Sequence, residues 1–146
     1  SAWNSDSYAW EESDLSSWAK ERLTELLKAV RVDVPGGSVK IVNVAKCEGD
    51  GAASLRKGRK MHFFEYTVEA EWEGELIGED GDVEATGDGK LKIMEWDQDT
   101  EGEDASISVE DSGTKVDARL SKPVREKMVP KVRALLDEFA AEFRTK

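Results

Sequence analysis

With 146 residues, 38% of them hydrophobic and 36% charged, the chain is sized for one domain with a real core and a heavily charged surface. Five Trp exclude a disordered polymer, and no apolar run approaches the roughly 18 residues that a membrane helix needs. The formal net charge of -11 opposes long-range attraction to nucleic acid or anionic membranes.

The charge is unevenly spread. Residues 61–112 hold 18 acids and only Lys90 and Lys92 as bases. Residues 1–60 carry 10 bases against 9 acids, and residues 113–146 carry 9 against 5. A compact basic patch on such a protein is suited to an anionic partner at short range. The lone Cys47 has no partner for an internal disulfide and fits a reducing compartment. Residues 1–10 lack the layout of a signal peptide, so the cytoplasm is the expected location.

Residues 1–12 show no clear period and read as an N-terminal arm. Ser13 and Asp14 make a helix cap, followed at helical spacing by Leu15, Trp18, Ala19, Leu23, Leu26, Leu27 and Val30. Pro35-Gly36-Gly37 is expected to stop that helix. Residues 39–45 are β-branched and predict a first strand, with Glu48-Gly49-Asp50-Gly51 as a loop after it.

The clearest pattern is 61–73. From Phe64, the even positions Tyr66, Val68, Ala70 and Trp72 are apolar, while Glu65, Glu69, Glu71 and Glu73 are acidic. Such alternation predicts a strand with one buried and one wet face. Gly- and Asp-rich turns at 78–82 and 87–89 bracket further strands, with Leu91 and Ile93, then Ile107 and Val109, alternating with polar residues. A second helical region is expected near Ser121, with Pro123 in its first turn and a kink or restart at Pro130. After it, Val132, Leu135, Leu136, Phe139, Ala140 and Phe143 form an apolar stripe. The fold class is therefore α+β: a single domain over 1–146 with an N-terminal helix, a four-stranded antiparallel meander and a C-terminal helix.

Catalytic constellations are not supported. With one histidine, His62, and one cysteine, neither a zinc site nor a Cys–His nucleophile pair has enough members. A surface or edge histidine on a strand is expected instead. Asp97-Gln98-Asp99-Thr100-Glu101-Gly102 imitates the start of a calcium loop, but Ser108 stands where the bidentate acid belongs. Gly87-Asp88-Gly89-Lys90 lacks the glycine and hydroxyl of a phosphate loop, having Glu84 and Leu91 in their places. Glu65 and Glu69 read as part of a solvated face. No cofactor or metal is expected.

Arg56-Lys57-Gly58-Arg59-Lys60 contradicts its acidic surroundings. Four cations in five residues repel one another unless an anionic group compensates. Gly58 permits a tight turn, Arg offers a planar fork for carboxylate or phosphate, and Lys offers a flexible point charge. A solvated loop, a neighbour for the chain's own acids and a nuclear-import-like run remain open as readings of the charge alone.

Several ordered features together resemble a known family, the N-terminal domain of the activators of the heat shock protein 90 ATPase. They are the opening Asn4-Ser5-Asp6-Ser7-Tyr8-Ala9-Trp10, the helix with Trp18-Ala19-Lys20, Glu48-Gly49-Asp50, Arg56-Lys57-Gly58 six residues after that Asp, and Pro130-Lys131-Val132-Arg133. Departures are Tyr8 and Ala9, where the family pattern has Trp and His, and Arg59 for the usual Lys after the glycine, with Lys60 following. The resemblance implies a cytoplasmic co-chaperone domain, monomeric and without catalytic residues, that belongs to a longer two-domain protein. It implies binding to the chaperone's middle segment and ATPase stimulation by remodelling of its catalytic loop. Carried over, Arg56 and Lys57 are the active contacts, Asp50 a supporting one, and Gly58, Arg59 and Lys60 helpers. The alternative expectation is a basic-loop module for nucleic acid or a phosphate ligand.

Overall fold

A computed structural model describes residues 10–112 and 116–146, with Trp10 given by its backbone alone. The motif around Asn4, Tyr8 and Ala9 lies outside the described residues. The order of elements is β1 (Trp10–Asp14), α1 (Ser16–Lys28), β2 (Arg31–Val34), β3 (Gly37–Arg56), β4 (Arg59–Ile77), β5 (Val83–Asp97) and β6 (Ser106–Asp111). A helical run follows: α2 (Ala118–Pro123), one π-helical turn (Val124–Met128) and α3 (Val129–Phe143). The strands form one antiparallel sheet in the order β1-β3-β4-β5-β6, with β2 also paired to β3.

The α+β class, the meander and the helical cover agree with the sequence reading. The strand number does not: the described residues form six strands, not four, and a strand precedes the first helix. Trp-Glu-Glu-Ser-Asp is too short and polar to show a period, so β1 reads as an arm. Its pairing, from Trp10 opposite Arg56 to Asp14 opposite Ala52, fixes it as a strand. The strand β2 hides behind the helical stripe. The helix ends at Lys28, not at the proline, and Pro35-Gly36 instead turns β2 into β3. At the other end of α1, Leu15 and not Ser13 or Asp14 holds the N-cap position, and it has no side-chain cap; the Asp14 carboxylate accepts the Ser16 N–H at 2.9 Å just ahead of the helix.

The expected loop at 48–51 is also strand. Gly49 has φ +148°, and a Cβ there would lie 1.8 Å from the Glu65 carbonyl oxygen. The glycine marks a close approach of two strands, not a break. The glycines at 87 and 89 are likewise inside β5, where a Cβ on Gly89 would meet the Trp72 ring at 2.7 Å. Gly89 thus makes room for Trp72, and Gly87 for Val116, whose side chain a Cβ there would meet at 2.5 Å. The last helical run starts at Ala118, with the Asp117 carboxylate accepting the Arg119 N–H at 2.9 Å. Pro130 stands at the start of α3, after the π-helical turn, which is the expected restart.

Phe64, Tyr66, Val68, Ala70 and Trp72 are all buried, as their alternation predicts. The cover comes from Ala19, Leu23 and Leu27 of α1 and Val132, Leu136, Phe139 and Phe143 of α3. Phe139 is the hinge of this packing, with ring centroids 5.7 Å from Trp18, 5.4 Å from Phe64 and 5.4 Å from Trp96.

Among the described residues, buried side-chain atoms of His62, Tyr66, Trp72 and Asp111 lack a hydrogen-bond partner, and the tyrosine is the one with a shifted titration. The Tyr66 hydroxyl has no hydrogen-bond partner of good geometry. Its neighbour Ser16 already uses its hydroxyl on the Gly51 backbone, accepting from the N–H at 3.1 Å and donating to the carbonyl at 3.4 Å. Burial, and after it the charge of Cys47, pushes the phenol up to about 12, with Ser16 pulling slightly the other way. Because the unfolded phenol ionises near 10 and the buried one resists until about 12, stability is level below pH 10 and is lost as pH rises from there toward 12. Tyr66→Phe is therefore expected to be neutral or slightly stabilising at pH 7, by up to ~1 kcal/mol, because an unsatisfied group is removed. It should also lessen alkaline unfolding above pH 10; denaturant midpoints at pH 7 and pH 11 check both effects.

Candidate functional site

The basic segment is the turn of the β3–β4 hairpin. Arg56 pairs with Arg59 across the last rung, leaving Lys57 and Gly58 as a two-residue connection. Their φ values are +51° and +76°. Two positive φ values in a two-residue hairpin loop are the mark of a type I′ turn, whose twist suits the flanking strands. Gly58 adopts this conformation freely, but Lys57 does not. Lys57 thus occupies a position that Asn or Asp fills with less strain.

Lys57→Asn is accordingly expected to raise stability by about 1 kcal/mol, or roughly 3 °C in Tm, by relieving the left-handed backbone. The same change should weaken any activity carried by the lysine. Thermal melts beside activity measurements separate the two effects.

All four cations of the turn are exposed, and none forms an ion pair among the described residues. The charge stands on a rigid base, because β3 and β4 are paired from the turn to Gly37 and Leu76. Parity along the strands then sorts the side chains. Arg56, Ser54, Ala52 and Asp50 share the face of β3 that points away from the helices, and Arg59, Met61, Phe63 and Glu65 stand opposite them on β4. Arg56, Lys57, Gly58 and Arg59 are thus brought together, while Lys60, paired with Leu55, projects from the other face of the same hairpin end. Asp50 is not in the cluster: it lies six residues, about 20 Å, down the same face.

Sequence reasoning missed what lies between. Met61 and Phe63 are 52% and 44% exposed on that outer face, and Leu55 beside Lys60 is 39% exposed. The alternation counted from Phe64 concealed them, since in 61–63 the apolar residues occupy the odd, outward positions. Their own signal is an apolar residue on the acidic parity of a strand. Beyond Phe63, a groove of about 560 Å³ is lined by Asp50, Ala52, Glu65, Thr67 and Asp97. The outer face therefore runs from cations through an apolar step to carboxylates.

The other candidates have ordinary settings. His62 points to the helix side, half-buried, with its ring edge-on to Phe143 at 6.0 Å and its Nε2 without a partner. That differs from the surface position expected for it. Asp97 spends its carboxylate on the loop, accepting from the Asp99 N–H at 2.9 Å and the Thr100 hydroxyl at 3.0 Å. Among the described residues no group of three His, Cys, Asp or Glu is placed to hold a metal ion. The Glu69 carboxylate lies 3.6 Å from the Lys90 ammonium and 3.8 Å from that of Lys92. No helix among the described residues is long and apolar enough to cross a membrane.

Comparison with known proteins agrees with this architecture. A family profile described as "Activator of Hsp90 ATPase, N-terminal" matches residues 12–146. "Activator of 90 kDa heat shock protein ATPase homolog 2" of Bos taurus is 30% identical over 143 residues, 97% of this chain and 53% of that protein. The protein of the same name in Mus musculus is 28% identical over 97% of this chain and 41% of its own length. The chain thus spans about half the length, or less, of these relatives. Among solved structures, the human Aha1 N-terminal domain superposes with a TM-score of 0.69 at 24% identity, covering 92% of this chain and 96% of that one. Aha-1 from Plasmodium falciparum gives 0.75 at 18% identity over 92% and 88%. At these identities the superpositions speak for the fold, and the profile and the bovine relative for the lineage. The chain belongs to the family of activators of the heat shock protein 90 ATPase, in the part of that family described as its N-terminal domain.

Proposed function

We propose that this chain docks on the middle segment of heat shock protein 90 and stimulates its ATPase by acting on the catalytic loop. The observation that carries the reading is the exposed, unpaired basic turn on a rigid hairpin of an otherwise acidic protein. The names of the relatives supply the partner. In this reading Arg56 and Lys57 touch the loop, Arg59, Lys60 and the Gly58 turn support them, and Asp50 makes a second polar contact down the face. The chain brings no reacting group of its own and works in the cytoplasm as a co-chaperone, one copy for each contact.

The physical basis is a population shift. A cation pair that binds the active arrangement of a loop better than the inactive one favours the active state by that difference. About 1.4 kcal/mol, one good charge-assisted contact, changes the ratio tenfold. Met61 and Phe63 add apolar area beside the cations and give affinity rather than activation. Met61→Ser with Phe63→Ser is expected to raise the half-saturating concentration about tenfold or more, since each loses on the order of 1 kcal/mol of burial. Maximal stimulation should stay unchanged, as a full ATPase titration would read.

The test of the whole reading is direct. The chain is titrated into heat shock protein 90 in a steady-state ATPase assay and, by calorimetry, into the isolated middle segment. A rise in turnover and a saturable heat are expected. Unchanged turnover together with no heat from the middle segment would sink the proposal. The nucleic-acid alternative is disfavoured by the carboxylates along the same sheet face and by the lack of an aromatic within 56–60.

A further inference from the structure

The end of the sheet opposite the basic turn carries the opposite charge on a similar apolar base. There Ile77 pairs with Val83 across the β4–β5 hairpin, and the two are 37% and 56% exposed. Around them stand Glu75, Glu79, Asp80 and Asp82, all exposed and none in an ion pair among the described residues. Two cations near this end are already engaged, Arg31 with Asp33 at 3.1 Å, and Arg119 with Asp117 at 2.8 Å and Glu84 at 3.2 Å; Lys40, on β3 opposite Glu73, lines one groove with Glu75. Glu79, Asp80 and Asp82 at the tip thus have no ion pair among the described residues, as the basic turn has none.

A single strand joins the two tips. β4 runs unbroken from Arg59 to Ile77, 19 residues or about 60 Å. The poles are too far apart to meet within one molecule. We propose that they meet between molecules: the basic tip of one copy, with Met61 and Phe63, seats on the acidic tip of another, with Ile77 and Val83. The contact is head to tail, so both surfaces differ and each copy keeps one free pole.

Screening decides whether the net charge of -11 forbids this. At 0.1–0.15 M salt charges are screened over about 8–10 Å. Pole-to-pole contacts fall well inside that length, while the centres of the two copies lie several such lengths apart. Attraction at the tips survives better than the general repulsion. The area at two hairpin ends is small, and contacts below about 1,200 Å² are weak, so dissociation on the order of 0.1–1 mM is expected.

The inference shares the basic turn with the chaperone reading but does not rest on it, and its test uses the chain alone. Sedimentation velocity from about 20 µM to 1 mM in 0.1 M salt should show a mass rising with concentration and returning toward the monomer in 0.5 M salt. Two exposed-site double variants are then compared, Arg56→Ala with Lys57→Ala and Glu79→Ala with Asp82→Ala. Each alone should lose most of the association. An equimolar mixture of the two should regain it as a dimer that grows no further, because one intact pole of each kind remains. A monomer at every concentration overturns the proposal. So does association that either double variant retains in full, since that would be a contact through like surfaces or elsewhere.

Discussion

Replacing Arg56 and Lys57 together by alanine is expected to abolish most of the ATPase stimulation while leaving the fold untouched. Both side chains are exposed and make no ion pair among the described residues, so their removal breaks no such contact there. The local change goes the other way: four cations on one tight turn repel one another, and the double variant halves that charge. Tm is therefore expected to stay level or rise slightly. The functional loss should be large, because each cation is proposed to contact the loop only in its active arrangement. Two charge-assisted contacts of about 1.5–3 kcal/mol each represent more than a hundredfold in the active-state ratio. The diagnostic is a fall in maximal stimulation that excess protein does not restore, unlike the shift in half-saturation expected for the Met61 and Phe63 pair. Full stimulation by the double variant, with an unchanged melt, would overturn the proposed role of the turn.

The largest expected stability effect lies in the helix that backs the sheet. Phe139→Ala is expected to cost about 3–5 kcal/mol, the usual range for truncating a fully buried aromatic. Phe139 is fully buried and contacts rings from α1, β4, β5 and its own helix: Trp18, Phe64, Trp96 and Phe143. A cavity there removes contacts from every layer at once, and neighbouring aromatic rings have little freedom to collapse into it. Since Phe64 immediately follows the Met61–Phe63 step, loosening the rings should also loosen the base of the basic turn. Urea unfolding gives the free energy; a cost below ~1 kcal/mol would mean that the ring cluster repacks.

Much of this was legible in the sequence, and for identifiable reasons. Alternation from Phe64 to Trp72 gave β4 and its buried face, because a strand with one wet side must obey period two. The stripe from Val132 to Phe143 gave α3 by the same logic at helical period. Glycines misled, since Gly49 and Gly89 read as turns but are spaces left for the Glu65 carbonyl and the Trp72 ring, which only tertiary structure reveals. Short pieces were invisible: β1 is too polar to show a period, and β2 continues the apolar spacing of the helix before it. At the site, the cations stood out through charge contrast. The turn's geometry, the exposure of Met61 and Phe63, and the distance of Asp50 depend on register, which composition does not carry.

The register of the long hairpin has a further consequence for how this region tolerates change in length. From Lys46 to the turn, rows of side chains alternate between the helix side and the outer side, and β1 is locked onto the last five of them. A single inserted or deleted residue between Gly51 and Arg56 would exchange the two sets, sending an arginine toward Phe143 and an alanine outward. Two residues added to each of β3 and β4 would preserve every face and merely lengthen the arm by about 7 Å. Between the bulges near Val42 and Ala45 and the turn, length variation that keeps the ladder regular is thus quantised in even steps, and the reach of the basic turn can be tuned without disturbing what it displays.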